Sequence, residues 1–496
     1  MDSPKLTVVL EEWIDPEDVF QDLIADEQYS FWLDSGPGAT DGMSYLGAAS
    51  AGSRIALASV AEGSVRVFGS PQGEAESVHP GTIFDYLRLD DAWKGSGPAE
   101  FLEQYDPGEA DGEDGSVPLG WIGWFGYEAG ADRLGVPART AETPDAALLW
   151  VDRLIAFDHS ARTVALVGWD VPDVRSWAAR TATRLVSSPR QGSGVRGDAV
   201  ESRRASFPRT VRWRHDSAAY LRMIGDCRQS IHRGDAYQIC LTNEVRVEPS
   251  ADPVAAYLRL RQLNESHHGG YLRFGEFTLL STSPEQFLLV DRTRHVTTRP
   301  IKGTRGRGAT LEEDEELRAE LSASDKERAE NVMIVDLMRN DLSRVCAPGT
   351  VEVSELLAVE TYPHVHQLVS SVTGLLALGR TTIDAIEACF PAGSMTGAPK
   401  LSAMRILHGL ENGPRGVYAG CFGYLAHDGS SDLAMVIRSI VMDGHGSTIG
   451  TGGGITALSD PHEELAEARL KAAVLLEVLA AAPARTGRSA SGEMFH

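Results

Sequence analysis

Arg299-Pro300-Ile301-Lys302-Gly303-Thr304-Arg305, continuing as Gly306-Arg307-Gly308, sets a single amine between two guanidinium groups where an apolar run ends. Residues 270–302 read as consecutive β-strands leading into this stretch. Pro300 fixes one backbone angle and Gly303 frees the next turn. Cations on either side of an ammonium disfavour its charge, and a neutral lysine is a nucleophile. The same residues would serve equally as a basic surface loop, so the meaning of Lys302 depends on what the chain places around it.

With 496 residues the chain has room for two or more domains, or for one large two-part α/β body. Its 42% hydrophobic and 23% charged content is that of a soluble globular protein. A net charge of −24 disfavours nucleic acid and anionic membranes as partners, because phosphate binding needs a basic face. An anionic substrate must therefore be held by a local cluster of cations or by a metal. The N-terminus lacks the pattern of a signal peptide. The longest apolar run, Ala472 to Ala482, is broken by Glu477 and is too short to span a bilayer. Five scattered cysteines without Cys-x-x-Cys spacing fit reduced thiols in a cytoplasmic protein.

Along the chain, residues 1–186 mix short strands with some helix, among them Ser53 to Val60. Residues 104–118 are an acidic, Gly- and Pro-rich loop, followed by Gly120-Trp-Ile-Gly-Trp-Phe-Gly-Tyr-Glu128, whose glycines suggest close backbone approach in a strand. Residues 187–206 read as a flexible linker, 207–483 as a second part, and 484–496 as a disordered tail. The second part opens with a helix from Ser217 to His232 ending at Gly234, and then a strand from Tyr237 to Thr242.

Two acidic helices follow. Ser324 is an N-cap with Glu327 three residues on, and Glu330, Ile334, Leu337 and Asp341 fall on one face. Asp460-Pro461 opens the other, with Glu464, Glu467 and Lys471 on one face. If the two glutamate pairs converge, they supply the oxygen ligands that Mg²⁺ needs beside an anion. Three further features suit carboxylates: Gly452-Gly-Gly454 after a strand, the loop Ser394-Met-Thr-Gly-Ala-Pro-Lys400 entering a helix, and Arg438 interrupting the apolar strand Leu433 to Met442. Each alone is equally a tight turn, a helix start or an edge arginine.

The ordered set Ser283-Pro-Glu285, Pro300-Ile-Lys-Gly-Thr304, Asp325-Lys-Glu-Arg-Ala-Glu330, Val335 to Leu342, Gly397-Ala-Pro-Lys400, Gly420-Cys-Phe-Gly-Tyr424, Ile437-Arg438 and Gly452-Gly-Gly-Ile455 resembles the chorismate-utilising enzymes. That family comprises the anthranilate, isochorismate, salicylate and aminodeoxychorismate synthases. The resemblance is dense over residues 210–480 and thinner in Leu33-Asp-Ser35 and Gly123 to Glu128. It implies an α/β fold like that of anthranilate synthase component I: two large sheets packed face to face as a β-sandwich core, helices outside, both halves contributing. It also implies roles. Glu330 and Glu467 look like direct Mg²⁺ ligands, with Glu327 and Glu464 beside them; Tyr418 and Arg438 are similar to the pair holding the enolpyruvyl carboxylate. Gly453, Gly454 and Lys471 match the place of the ring carboxylate, Glu285 the acid that protonates the departing C4 hydroxyl, and Thr304, Thr396 and Gly397 further parts of the substrate site.

Two positions select a branch. Water-using members carry a lysine base where this chain has Gln238, and anthranilate synthases usually carry alanine where it has Lys302. The resemblance therefore implies a cytoplasmic enzyme of the aminodeoxychorismate synthase branch, adding ammonia from a glutamine amidotransferase partner to chorismate at C4, toward p-aminobenzoate, folate or a secondary metabolite. Anthranilate synthase component I is the alternative within the family, and a non-catalytic chorismate- or tryptophan-binding subunit the alternative outside catalysis. Gln367 departs from the histidine of many relatives.

Overall fold

A computed structural model describes residues 5–69, 76–90, 117–187, 209–264 and 266–482. The tail, nearly all of the expected linker and most of the acidic loop lie outside the described residues. The described residues form two antiparallel sheets of 12 strands each. The first runs, in hydrogen-bonded order, Lys5–Val9, Thr163–Trp169, Arg153–Asp158, Met43–Ala48, Tyr29–Asp34, His268–Phe274, Phe277–Ser283, Ser439–Met442, Ser447–Ile455, Gln238–Glu248 and Thr210–Trp213, with Gly397–Ala398 also paired to Gln238–Glu248. The second runs Ile301–Gly306, Val365–Leu375, His295–Thr298, Gln286–Val290, Ser431–Met435, Cys421–Ala426, Gly120–Phe125, Ala146–Val151, Arg54–Ser59, Ser64–Gly69 and Ser77–Pro80, with Glu352–Thr361 along Val365–Leu375. Each sheet joins strands from before residue 187 to strands from after 209, so both halves build both sheets.

The sheets face one another across an apolar layer in which Phe31, Leu272 and Phe274 of the first meet Ile122, Trp124 and Phe422 of the second. Trp124 and Phe274 meet edge to face at 4.7 Å between ring centres. Contact is close enough that a Cβ on Gly270 would lie 2.4 Å from the Phe422 ring. Helices cover the outer faces. Asp325–Ser343 and Thr382–Cys389 pack on the second sheet, and Pro253–Leu263 and Pro461–Ala481 on the first. With both faces covered, a strand such as Gly120–Phe125 is buried at every position rather than alternating. Its glycines do permit close approach: a Cβ on Gly123 would lie 1.9 Å from the Ala147 carbonyl.

Two of the places where the chain crosses between the sheets are adjacent corners, and these position the site. From Phe277–Ser283 in the first sheet it turns through Glu285 into Gln286–Val290 in the second. It returns from Ser431–Met435 to Ser439–Met442 through Arg438. The apolar run Leu433 to Met442 is therefore two strands of different sheets, not one interrupted strand. Arg438 makes the corner with a left-handed backbone, φ 51°. The corners are bonded together: Met435 N–H donates to the Glu285 carbonyl at 3.0 Å, and Thr282 N–H to the Arg438 carbonyl at 3.3 Å.

Candidate active site

The first acidic helix, Asp325–Ser343, starts where the Ser324 side chain accepts the Glu327 N–H, and it buries Glu330, Asn331, Ile334, Met338 and Asp341 against the second sheet. The other, Pro461–Ala481, is capped by Asp460 and lies on Ser447–Ile455. The helices meet through Lys326, whose ammonium donates to the buried Glu464 carboxylate at 2.9 Å. Glu467 pairs with Lys471 at 2.5 Å, and Lys471 also donates to the Gly452 carbonyl at 3.0 Å. Glu330 is 6% exposed, and its Oε1 finds no hydrogen-bond partner among the described residues. Burial pushes its carboxyl up to about 7, against the pull of Lys302 and Lys326. Glu467, though also desolvated, is held below the usual range by Lys471, with Lys326 and Lys302 assisting.

Gly452, Gly453 and Gly454 are not a loop after a strand but lie within Ser447–Ile455, opposite Thr242, Leu241 and Cys240. Their missing side chains leave the room that both helices use. A Cβ on Gly453 would stand 3.2 Å from Glu464 Oε2 and 3.8 Å from Glu467 Oε1. One on Gly454 would stand 3.4 Å from Glu330 Oε2 and only 2.5 Å from Gln238 Nε2. The glutamates of both helices thus reach the same short strand segment. Among the described residues no three His, Cys, Asp or Glu side chains form a ready-made metal cage. The buried Glu330, with one oxygen unpaired, the buried Glu464 and the more open Glu467 are nevertheless the hard oxygen donors that suit Mg²⁺.

Lys302 lies on Ile301–Gly306, half-buried and facing acids. Burial alone would lower its pKa, but Glu330 and Glu285, with Glu467 further down, outweigh it and hold the ammonium above the ordinary lysine value. This corrects the expectation that Arg299 and Arg305 make Lys302 neutral. Arg299 is paired with Glu360, and Arg305 lies 3.2 Å from Glu320 and 3.8 Å from Glu327. Neighbours in sequence point away along a strand, and neighbours in space decide the charge. Gly303, at φ 83°, brings this strand against the acidic helix, since a Cβ there would lie 3.0 Å from Glu327 Cγ and Cδ.

Glu285 is 7% exposed; burial raises its pKa, and Lys302 and the adjacent Ser394 oppose the rise. Gln238 is wholly buried, and neither its amide oxygen nor its amide nitrogen has a partner among the described residues. The Tyr418 ring packs on Gly450. Arg438 is half-buried with no acceptor for its guanidinium among the described residues; burial lowers its pKa, opposed by Tyr418 and Glu467. A cation in that state calls for an anion. Thr304 is exposed and paired in register with Gln367, whereas Thr396 is fully buried and its hydroxyl bonds the Ala392 and Gly393 carbonyls at 3.1 and 3.3 Å. Gly397 presses on Gln238, where a Cβ would lie 2.2 Å from the Gln238 carbonyl.

The family model for chorismate-binding enzymes matches residues 52–477. The chain belongs to the chorismate-binding enzymes. It is 40% identical to the aminodeoxychorismate synthase of Streptomyces pristinaespiralis over 94% of its own length and 64% of that protein's. To the Streptomyces griseus aminodeoxychorismate synthase it is 39% identical, over 97% of itself and 65% of that protein. It therefore spans about two thirds of the length of these relatives. It is also 37% identical to anthranilate synthase component 1 of Mycobacterium tuberculosis, over 79% of each. Among solved structures, anthranilate synthase component I of Streptococcus pneumoniae superposes with a TM-score of 0.71 at 25% identity, covering 94% of this chain and 99% of that one. The two-sheet fold expected of the family is the fold observed.

Within this site, three contributors escaped the sequence reading. Lys326 is the cation that joins the two acidic helices, and Ser394 lies beside Glu285. Cys240 is a buried thiol near Lys302. A lysine one turn before a buried glutamate could have signalled the first, but the other two depend on contacts between segments distant in sequence. No described helix is long and apolar enough to cross a membrane.

Proposed function

We propose that the chain aminates chorismate at C4, as the synthase component of an aminodeoxychorismate synthase. The observation that carries the reading is Lys302, an amine set among Glu285, Glu330 and Glu467 with the buried Gln238 nearby. Arg438 and Tyr418 would take the enolpyruvyl carboxylate, and Lys471 with the Gly453–Gly454 segment the ring carboxylate. Glu330 and Glu467, with Glu327 and Glu464, would hold Mg²⁺. When bound, that ion would supply positive charge beside the ring carboxylate that offsets Glu330 and Glu467, two of the acids that hold Lys302 protonated.

In the reading proposed, neutral Lys302 attacks C2 as the C1–C2 π electrons shift to C1–C6, the C5–C6 π electrons shift to C4–C5 and the C4–O bond breaks, Glu285 giving its proton to the departing oxygen. Water leaves. Ammonia then adds at C4, the π electrons shift back, and the C2–N bond to Lys302 breaks, the lysine leaving with its electron pair. Excess protons return to Glu285, and the balance is chorismate plus ammonia to 4-amino-4-deoxychorismate plus water. A raised Glu285 pKa suits a group that must carry a proton near neutral pH. Gln238 has no proton to exchange near neutral pH, so it does not ionise water as a competing nucleophile.

The favoured amine source is a glutamine amidotransferase partner, because none of the cysteines lies in a Gly-x-Cys-x-Gly setting. The test is the product formed by the purified chain from chorismate, Mg²⁺ and ammonium at alkaline pH, with glutamine as the control. The reading expects 4-amino-4-deoxychorismate from ammonium and none from glutamine. Anthranilate or isochorismate as the main product would overturn it.

A further inference from the structure

Gly120 to Glu128, the motif of alternating glycine and aromatic residues, has no role in the chemistry above, yet its last residue ends in a buried charge cluster behind the site. The Glu128 carboxyl accepts the N–H groups of Arg415 and Gly416 at 2.8 and 2.9 Å. The Arg415 side chain is 1% exposed. Its Nε donates to Glu411 at 2.9 Å, and one terminal nitrogen donates to Glu411 at 2.7 Å and to the Cys240 carbonyl at 2.9 Å. The other donates to the Met395 carbonyl at 2.6 Å, and the guanidinium lies 4.4 Å from the centre of the Tyr127 ring. Glu411 in turn accepts the N–H and hydroxyl of Thr242 at 2.9 and 2.8 Å.

These contacts fall on segments that line the site. Cys240 and Thr242 lie opposite Gly454 and Gly452 on the strand that begins with Gln238. Met395 sits between Ser394, the neighbour of Glu285, and Thr396. Gly416 is two residues before Tyr418. We infer that Arg415, fixed by Glu128 and Glu411, is the positioning residue that sets the Gln238 strand and the Ser394 loop at the geometry the reaction requires. It touches no substrate. A planar fork of donors can satisfy two carbonyls and a carboxylate at once, which a lysine ammonium on a flexible stem cannot. The anion-binding cations Arg438 and Lys471 make none of these contacts, so its loss falls on the reacting geometry more than on substrate capture.

The effect on turnover rests on the amination reading, but the effect on the backbone does not. In Arg415→Lys, kcat per folded molecule should fall roughly 10²-fold, as for an ångström-scale misplacement of reacting groups. The KM for chorismate should move by less than about threefold. Amide hydrogen exchange should quicken in residues 238–242, 394–397 and 416–420 and stay unchanged in Ala146–Val151. Glu128→Gln, which conserves shape, should move both readouts the same way by a smaller amount, and it decides the question if Arg415→Lys does not fold. A purely structural Arg415 would lower the melting temperature and leave kcat per folded molecule and the local exchange pattern as in the wild type; that result overturns the proposal. A wild-type chain inert toward chorismate defeats the amination reading instead, and the exchange pattern then still decides the role of Arg415.

Discussion

Replacing Arg438 with Met separates substrate capture from stability. The guanidinium is half-buried, has no acceptor among the described residues, and is held below its usual pKa by burial. In the free protein it is a liability, since a desolvated donor group without a partner costs on the order of 1 kcal/mol or more. Met has nearly the same reach and lacks the charge, and both residues suffer the same strain at φ 51°, so the backbone contribution cancels. Arg438→Met should therefore raise the melting temperature of the free protein by roughly 1–2 °C, the scaling for about 1 kcal/mol in a large domain. Loss of charge-assisted bonds to a carboxylate, about 3 kcal/mol in total, should raise the KM for chorismate roughly 10²-fold. Differential scanning fluorimetry and steady-state consumption of chorismate measure the two effects on one preparation. A KM within threefold of wild type would show that the carboxylate binds elsewhere, and a lower melting temperature would show that Arg438 already has a structural partner.

Three further outcomes follow from the geometry. Gly454→Ala puts a methyl 2.5 Å from the amide nitrogen of the wholly buried Gln238, so turnover should fall roughly 10²-fold with about 1–3 kcal/mol lost in denaturant unfolding; unchanged kinetics would mean that Gln238 is free to move. Glu330→Gln and Glu467→Gln should each weaken Mg²⁺ binding by at least about tenfold in calorimetric titration, since each removes a charged oxygen donor, and an unchanged Mg²⁺ affinity would place the ion elsewhere. Burial pushes the Glu128 carboxyl up from 4.5 to about 8, so between these pH values the folded state keeps a proton that the unfolded state has released, and stability falls as pH rises through that window. Glu128→Gln should remove that slope from urea midpoints measured across pH 4.5–8; an identical slope in the variant would assign it to another group.

Much of the site was legible because its parts are local. The spacing of Glu327 and Glu330, and of Glu464, Glu467 and Lys471, defines a helix face whatever the helix packs on, and the caps Ser324 and Asp460 fall where such residues belong. The family resemblance then supplied the two-sheet architecture, which periodicity alone does not give. What stayed hidden depends on pairings between distant residues. Lys326 meets Glu464 across 138 positions, and the corner at Arg438 divides an apolar run that reads as one strand. The protonation of Lys302 was misjudged for the same reason: Arg299 and Arg305 are its sequence neighbours, but the carboxylates that surround it come from a corner and two helices. The glycines 452–454 likewise read as a turn, because a strand kept bare to admit side chains from two helices has no local signature.

Lys302 is proposed to steer ammonia to C4, and the product distribution of Lys302→Ala tests this most directly. With chorismate, ammonium and Mg²⁺, chromatography of the products should show the wild-type chain forming 4-amino-4-deoxychorismate. The alanine variant, lacking the group that occupies C2, should admit ammonia there and shift product toward 2-amino-2-deoxyisochorismate or anthranilate. A variant that is merely slower, by roughly 10²–10³ as for one lost charge-stabilising donor, and still forms only the 4-amino product, with no chorismate adduct on Lys302 in intact-mass spectra of the wild type, would contradict the covalent role.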